Sequence, residues 1–234
     1  MPPDYAVPAL DKALDILEVL AALEGGLTQL EIAVAVERTP SQIFRVLTTL
    51  ERRGYVHRDR QSGVYSLSLR LFELANRTEP VRTLVEAAAE PMRRLAEAAG
   101  QSCNLSVRDI DRVRVIAQVE SPADFGFRVR VGAEFSLDDT ATGAVLRAFD
   151  GGEGASELEA RLIRELGYLE RPDVRQPSIT DLVFPVLGRE GPDGPALAAL
   201  TVPYVATSYS SVSSGTVIDA GREAVTLIGA NLGY

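Results

Sequence analysis

Between Thr39 and Arg60 the chain spaces small hydroxyl, amide and guanidinium side chains in the manner of a surface that reads DNA. Thr39-Pro40-Ser41 offers a capping hydroxyl, a proline suited to a first helical position and a small polar residue, so a helix is expected to begin there. Its inner face would carry Ile43, Val46, Leu47 and Leu50, leaving Ser41, Gln42, Phe44, Arg45, Thr48 and Thr49 outward. The N-terminal residues of such a helix meet base edges in a major groove, where glutamine suits adenine and arginine suits guanine or phosphate. Gln42 and Arg45 are therefore the first candidates, with Thr39 and Ser41 beside them. Phe44 is large enough to read as core in preference to a base contact. Arg52 and Arg53 close the helix ahead of Gly54 and fit either a complement to the helix dipole or a phosphate contact. Tyr55 to Arg58 and Val64 to Leu67 then alternate as two short strands around a polar turn, which puts Arg58 and Arg60 where they can touch phosphate or the minor groove. His57, the sole histidine, reads as a surface residue of that hairpin.

These residues need a scaffold, and the preceding stretch supplies one. Leu10, Ala13, Leu14, Leu17, Leu20 and Ala21 recur at the spacing of one buried helical face, and Gly25-Gly26 ends the run. The next helix starts at Thr28, with Glu31 three residues on to complete a reciprocal cap, and Leu27, Leu30, Ile32 and Val34 are expected to pack it. Helix, tight turn, helix and hairpin in that order describe a winged helix-turn-helix over residues 1–68. The pattern points to double-stranded DNA as a partner.

Overall charge argues the other way until it is mapped. The chain has 234 residues, 46% hydrophobic content and a formal charge of −9, which is unusual for a protein attracted to phosphate. Yet Arg38 to Arg77 contains eight arginines against Glu51, Asp59 and Glu73, so the positive potential is local. The acid lies beyond residue 78 and would repel DNA, so that part has another task. Cys103 is the only cysteine and cannot form an internal disulfide. No long apolar run marks a signal or membrane span, so a cytoplasmic protein without a membrane partner is expected. No cluster of cysteine, histidine and carboxylate has metal-ligand spacing, and the sequence calls for neither a metal nor a cofactor.

After the hairpin, residues 69–79 read as a linker helix with a boundary at Asn76 to Pro80. A long helix from Val81 to Ala99 follows, then strands at Ser102 to Val107, Val113 to Val119 and Phe127 to Val131. Helices at Thr140 to Phe149 and Ala155 to Leu166, strands at Ile179 to Leu187 and Ala196 to Val205, and a closing helix from Val217 to Leu232 complete residues 80–234. Sheet strands with flanking helices in this order give an α+β domain. Cys103 alternates with Asn104 and should face the opposite side of the sheet, in a structural role.

The sequence resembles the IclR family of bacterial transcriptional regulators along essentially its whole length. Several stretches carry the resemblance: Thr39 to Leu47 through Gly54-Tyr55-Val56, Gln118 to Pro122, Thr140-Ala141-Thr142-Gly143, Gly167-Tyr168, Ile179 to Val186 and Ala198 to Val202. It implies a C-terminal GAF-like antiparallel sheet flanked by helices, a small effector that is often an organic acid, and homodimers or homotetramers on a palindromic operator. It places effector contacts at Thr140, Ala141, Thr142 and Gly143, at Asp181 where many relatives carry cysteine, and at Thr201 with Pro203, where relatives often carry serines. Asp138 stands where many members have a histidine.

Physical chemistry agrees with part of this. A helix start at residues 140–143 offers free amides and hydroxyl donors to an anion. An inward Asp181 would favour a ligand that brings hydroxyl or amino donors as well as a carboxylate, since a buried unpaired carboxylate is costly. It would otherwise cap a turn or pair with an arginine such as Arg128 or Arg171. Phe127 and Phe135 can wall a pocket or fill the core, and Asn104 ranks ahead of Ser106 and Gln118 as a strand residue facing the ligand. An enzyme built on Asp138, Asp139 and Asp181, or on Cys103, lacks a histidine or lysine in the second domain to activate a thiol, so the chain reads as a non-enzyme. A DNA-binding adaptor whose second domain only oligomerises is the alternative. A polar-lined cavity would favour sensing and a filled core the adaptor.

Overall fold

The computed structural model describes residues 7–76, 79–124, 126–150, 156–173, 175–206 and 212–234. It divides into two compact units, Met1–Thr78 and Glu79–Tyr234. Residues 77 and 78 of the sequence-based boundary, and Ala155 at an expected helix start, lie outside the described residues.

In the first unit, α1 (Pro8–Ala22) is followed by β1 (Leu27–Thr28), α2 (Gln29–Ala35) and α3 (Pro40–Arg52), then by β2 (Val56–Arg58), β3 (Val64–Leu67) and α4 (Arg70–Asn76). The cap of α2 forms as its spacing requires: Thr28 N donates to Glu31 Oε2 at 2.8 Å, and Glu31 N to Thr28 Oγ1 at 3.4 Å. The bond from the Thr28 amide, followed by one from the Thr28 hydroxyl to the same carboxylate oxygen at 2.8 Å, holds the Glu31 carboxyl below its ordinary pKa. Gln29 Nε2 reaches the Pro40 carbonyl at 3.0 Å and braces α2 against the start of α3. Ile16, Leu20, Ile32, Ala33, Ile43, Leu47, Leu50, Val56 and Tyr65 make the core.

Two expected packing faces differ. Leu10 and Leu14 are exposed and Ile16 takes the centre of α1's buried face. Leu30 and Val34 are 64% and 72% exposed, and Ile32 with Ala33 fill their place. The seven-residue α2 packs through so narrow a strip that only adjacent positions reach the core. The short β1, not read from the sequence, pairs antiparallel with β3 and makes the wing sheet three-stranded, in the order β1-β3-β2.

The second unit runs α5 (Glu79–Ala99), β4 (Cys103–Asp109), β5 (Arg112–Val119), β6 (Glu134–Ser136), α6 (Ala141–Asp150), α7 (Glu157–Leu166), β7 (Leu169–Pro172), β8 (Ile179–Leu187), β9 (Ala196–Val205) and α8 (Ser214–Asn231). The strands form one antiparallel sheet in the order β6-β5-β4-β9-β8-β7. Strand alternation sends Leu182, Phe184 and Val186 to the face covered by α5 and α8, while Val183 joins Ala144, Val145 and Ile163 beneath α6 and α7. Phe184 is fully buried and worth about 2 kcal/mol by its burial alone. It fits because α8 has Gly221 against it, where a Cβ would meet the ring at 2.3 Å.

Residues 127–131, expected as a strand, are irregular; the ladder resumes at β6 instead. The Val129 amide finds its acceptor in Gln118 Oε1 at 3.0 Å, so a side chain replaces a strand partner there. The edge strand β7 is absent from the sequence pattern and forms by pairing with β8. Cys103 packs among Met92 and the α5 residues, and burial pushes its thiol up to about 12, which makes it inert at neutral pH. Among the described residues no helix is long and apolar enough to cross a membrane, and no group of three or more histidines, cysteines or carboxylates is placed to hold a metal ion.

Candidate functional site

Each unit carries one surface able to do chemistry. On the first, α3 buries Ile43, Leu47 and Leu50 and turns Ser41, Gln42, Phe44, Arg45, Thr48 and Thr49 to solvent. Phe44 is 52% exposed and is not the core residue its size suggested. The burial of α3 leaves it on the face between two buried positions, alongside Arg45. Thr48 and Thr49 donate back to the Phe44 and Arg45 carbonyls at 2.9 Å each, which keeps both hydroxyls on the helix. Gln42 is committed in part: its Oε1 accepts from Thr39 N at 2.9 Å, and its amide nitrogen has no partner among the described residues. The Thr39 and Ser41 hydroxyls bond each other at 3.1 Å.

Arg52, Arg53, Arg58 and Arg60 are exposed around the same helix and hairpin. Arg53 lies over the ring of Tyr55 and Arg58 over that of Tyr65, at 5.9 and 5.4 Å from the centroids, so both guanidinium groups are partly oriented before any partner arrives. Asp59 closes the hairpin turn by accepting from the Gln61 and Ser62 amides at 3.0 and 2.7 Å, which fixes the loop bearing Arg60. The bonds from Ser62 lead in holding the Asp59 carboxyl below its usual range.

The second unit contains a cavity of about 580 Å³ between the sheet and the start of α6. Its polar floor comes from Asn104 and Ser106 on β4, Thr142 on α6 and Thr201 on β9, all buried. They pair among themselves: Ser106 Oγ donates to Asn104 Oδ1 at 3.1 Å, and the Thr142 and Thr201 hydroxyls are 3.0 Å apart. Sheet register explains the grouping, because Asn104 faces Thr201 across one ladder and Asp181 faces Pro203 across the next. Phe127 and Phe135 supply apolar wall, while Arg128, Arg130, Asp139, Asp173 and Arg175 also line the cavity.

Of the effector residues expected from the sequence, Asn104, Phe127, Phe135, Thr140, Thr142, Asp181 and Thr201 meet at this cavity. Ala141 and Gly143 do not line it. Both lie buried in the first turn of α6, and Gly143 N is taken by Thr140 Oγ1 at 3.1 Å. Thr140 Oγ1 in turn donates to the Ser136 carbonyl at 2.7 Å, so the helix start is partly satisfied by its own cap. Asp138 is directed away, its side chain 84% exposed and ion-paired with the buried Arg147, which also donates to the Leu137 carbonyl at 2.7 Å. Ser106 stands beside Asn104 at the cavity because strand alternation puts residues two apart on one face. Arg128, Arg130 and Arg175 were not legible as lining residues, since they come from loops that only the tertiary fold brings to the sheet.

Asp181 is half-buried and makes no ion pair among the described residues. Arg171, its cross-strand neighbour, pairs with Glu159 at 3.3 Å, and Arg128 pairs with Glu120 at 3.1 Å. Burial, reinforced by Asp173 and opposed by Arg171, raises the Asp181 carboxyl from the usual 3.8 to about 6. Between those two values the folded protein holds a proton that the unfolded chain releases, so the group's contribution to stability is lost as pH rises through that window. Asp181→Asn is expected to stabilise the protein by about 1–2 kcal/mol at pH 7.5 and to make little difference at pH 4. Urea unfolding at the two values tests this; an equal effect at both would remove the carboxylate's desolvation as the cause.

Comparison with known proteins bears on both surfaces. The family model described as the IclR helix-turn-helix domain matches residues 9–60, and that of the bacterial transcriptional regulator IclR C-terminal matches residues 80–166. The HTH-type transcriptional regulator KdgR of Escherichia coli is 27% identical, with 99% of this chain and 96% of that protein covered. BhcR of Paracoccus denitrificans, also an HTH-type transcriptional regulator, is 31% identical over 70% of this chain and 57% of its own length. Among solved structures, IclR of Thermotoga maritima superposes with a TM-score of 0.71 at 21% identity, covering 96% of this chain and 98% of that one. An IclR homologue from Microbacterium hydrocarbonoxydans, complexed with 4-hydroxybenzoate, has the same TM-score at 20% identity and the same coverage. Those two establish a shared fold. Both named relatives are transcriptional regulators. With a helix-turn-helix model over the first unit, a C-terminal model over the second and relatives aligned across nearly its whole length, the chain belongs to the IclR family of bacterial transcriptional regulators.

Proposed function

We propose that this regulator binds a palindromic operator as a homodimer or homotetramer and that a small organic acid in the cavity of the second unit controls its affinity for that site. The polar-floored cavity carries this reading, because a domain used only for assembly has no need of buried hydroxyl and amide groups around an open volume. Its α3 reads bases through Arg45, the free end of Gln42 and the exposed Phe44, which suits a thymine methyl group; Arg52, Arg53, Arg58 and Arg60 meet the backbone. The helix α4, with residues 69–79, serves as the linker. Ligand acts only through its different affinities for two arrangements of paired recognition helices.

The test is direct. A duplex selected from a random library is titrated with the full chain in the presence and absence of millimolar organic acids, and a reproducible change of about fivefold or more in affinity is expected with at least one. No change with any of them would favour the adaptor. In the same assay Arg60→Ala should weaken selected and scrambled duplexes alike and lower the salt slope by about one. A loss confined to the selected duplex would make Arg60 a base reader.

A further inference from the structure

The cavity has a polarity that a simple carboxylic acid does not match. At its floor, two hydrogen-bonded pairs, Asn104 with Ser106 and Thr142 with Thr201, keep unused donor and acceptor capacity facing the open volume. Beside them Asp181 is, when ionised, an acceptor only, and a ligand carboxylate brought against it would add repulsion to an already desolvated charge. Arg130 and Arg175, by contrast, are exposed lining residues with no ion pair among the described residues. Asp173, which also lines the cavity, already has an oxygen committed to the Arg175 and Gln176 amides at 2.8 and 2.6 Å. Acceptor and hydroxyl groups and unpaired cations thus line one cavity.

We infer that the cavity takes a polyhydroxylated carboxylic acid, with its hydroxyls against Asp181 and the floor and its carboxylate toward Arg130 and Arg175. The inference rests on the cavity being the effector site. Hydroxyls answer both needs of the floor, since each can donate to Asp181 or Asn104 and accept from a threonine. An ammonium group would satisfy Asp181 alone and leave the floor's donors unmet. The volume admits a chain of six carbons with room to spare.

Calorimetric titration of the full chain at pH 7.5 tests it with four- to six-carbon aldonic acids, gluconate among them, against hexanoate, 6-aminohexanoate and sorbitol. The best aldonic acid is expected to bind at least about tenfold more tightly than each of the other three, the difference one hydrogen bond to a charged group can carry. Asp181→Asn should erase most of that margin while leaving hexanoate within about twofold. Hexanoate or 6-aminohexanoate equalling the best aldonic acid would overturn the inference, as would equal losses for all probes in Asp181→Asn or no aldonic acid binding at millimolar concentration. The regulatory reading fails separately: an aldonic acid that binds with this selectivity yet leaves duplex affinity unchanged would sink ligand control, and a different acid that shifts duplex affinity would preserve it.

Discussion

Gly143→Ala is expected to cost the second unit about 2–4 kcal/mol and to disable ligand binding in the same step. A Cβ at this position would stand 2.0 Å from the Leu137 carbonyl oxygen and 2.6 Å from its carbon, distances that no rotamer change can relieve because the obstacle is backbone. Leu137 cannot simply swing away. Its side chain is buried beneath α6, and its carbonyl accepts from Arg147. Separation of α6 from residues 136–140 would displace Ser136, Asp139, Thr140 and Thr142, four lining residues of the cavity. Urea unfolding of the variant measures the first effect and ligand titration the second. Gly229→Ala is the control, since Gly229 lies within α8 with nothing inside 4 Å of an added Cβ, and it should be neutral or slightly stabilising. A Gly143→Ala variant with a loss below about 1 kcal/mol would mean that the loop yields freely and that the close approach is not a constraint.

On the DNA side, the largest single loss is expected from Arg45→Ala: about 1–3 kcal/mol of discrimination between selected and scrambled duplexes if the guanidinium makes a bidentate contact to guanine. Arg45 is exposed, lies one turn into α3 and forms no ion pair among the described residues, so its fork is free to reach a base edge. Gln42 is the weaker candidate, because its oxygen caps the helix through Thr39 N and only its nitrogen remains to read a base. Arg45→Lys separates the fork from the charge, as lysine keeps one and loses the other. Discrimination unchanged in Arg45→Ala would reassign the residue to the phosphate backbone and leave Phe44 and Gln42 as the readers.

Much of the architecture was legible because it is locally encoded. The cap at Thr28, the helix start at Thr39-Pro40, the buried series Ile43, Leu47 and Leu50, and the strands at Ile179–Leu187 and Ala196–Val205 all follow from spacing within a few residues. The faces that were misjudged, Leu10 and Leu14 on α1 and Leu30 and Val34 on α2, are apolar positions at helical spacing whose burial depends on a partner surface. Phe44 failed for the same reason. The expected strand at Phe127 to Val131 alternates well enough in sequence, but a strand needs a neighbour in register, and Gln118 serves the Val129 amide instead.

The sequence by itself determined a winged helix-turn-helix, an α+β second unit, and several chemically competent residues: Arg45 on the first, and Asn104, Thr142, Asp181 and Thr201 on the second. Their capping, periodicity and charge are properties of neighbouring residues. Only the tertiary structure decided what those residues enclose. The pairing of β4 with β9 and of β8 with β9 brings Asn104 to Thr201 and Asp181 to Pro203. Loop residues far away in sequence put Arg130 and Arg175 on the same cavity, and Arg147 draws Asp138 out of contention. Long-range pairing sets each of these relations, and no local spacing records which strands become neighbours or which buried charge keeps its partner.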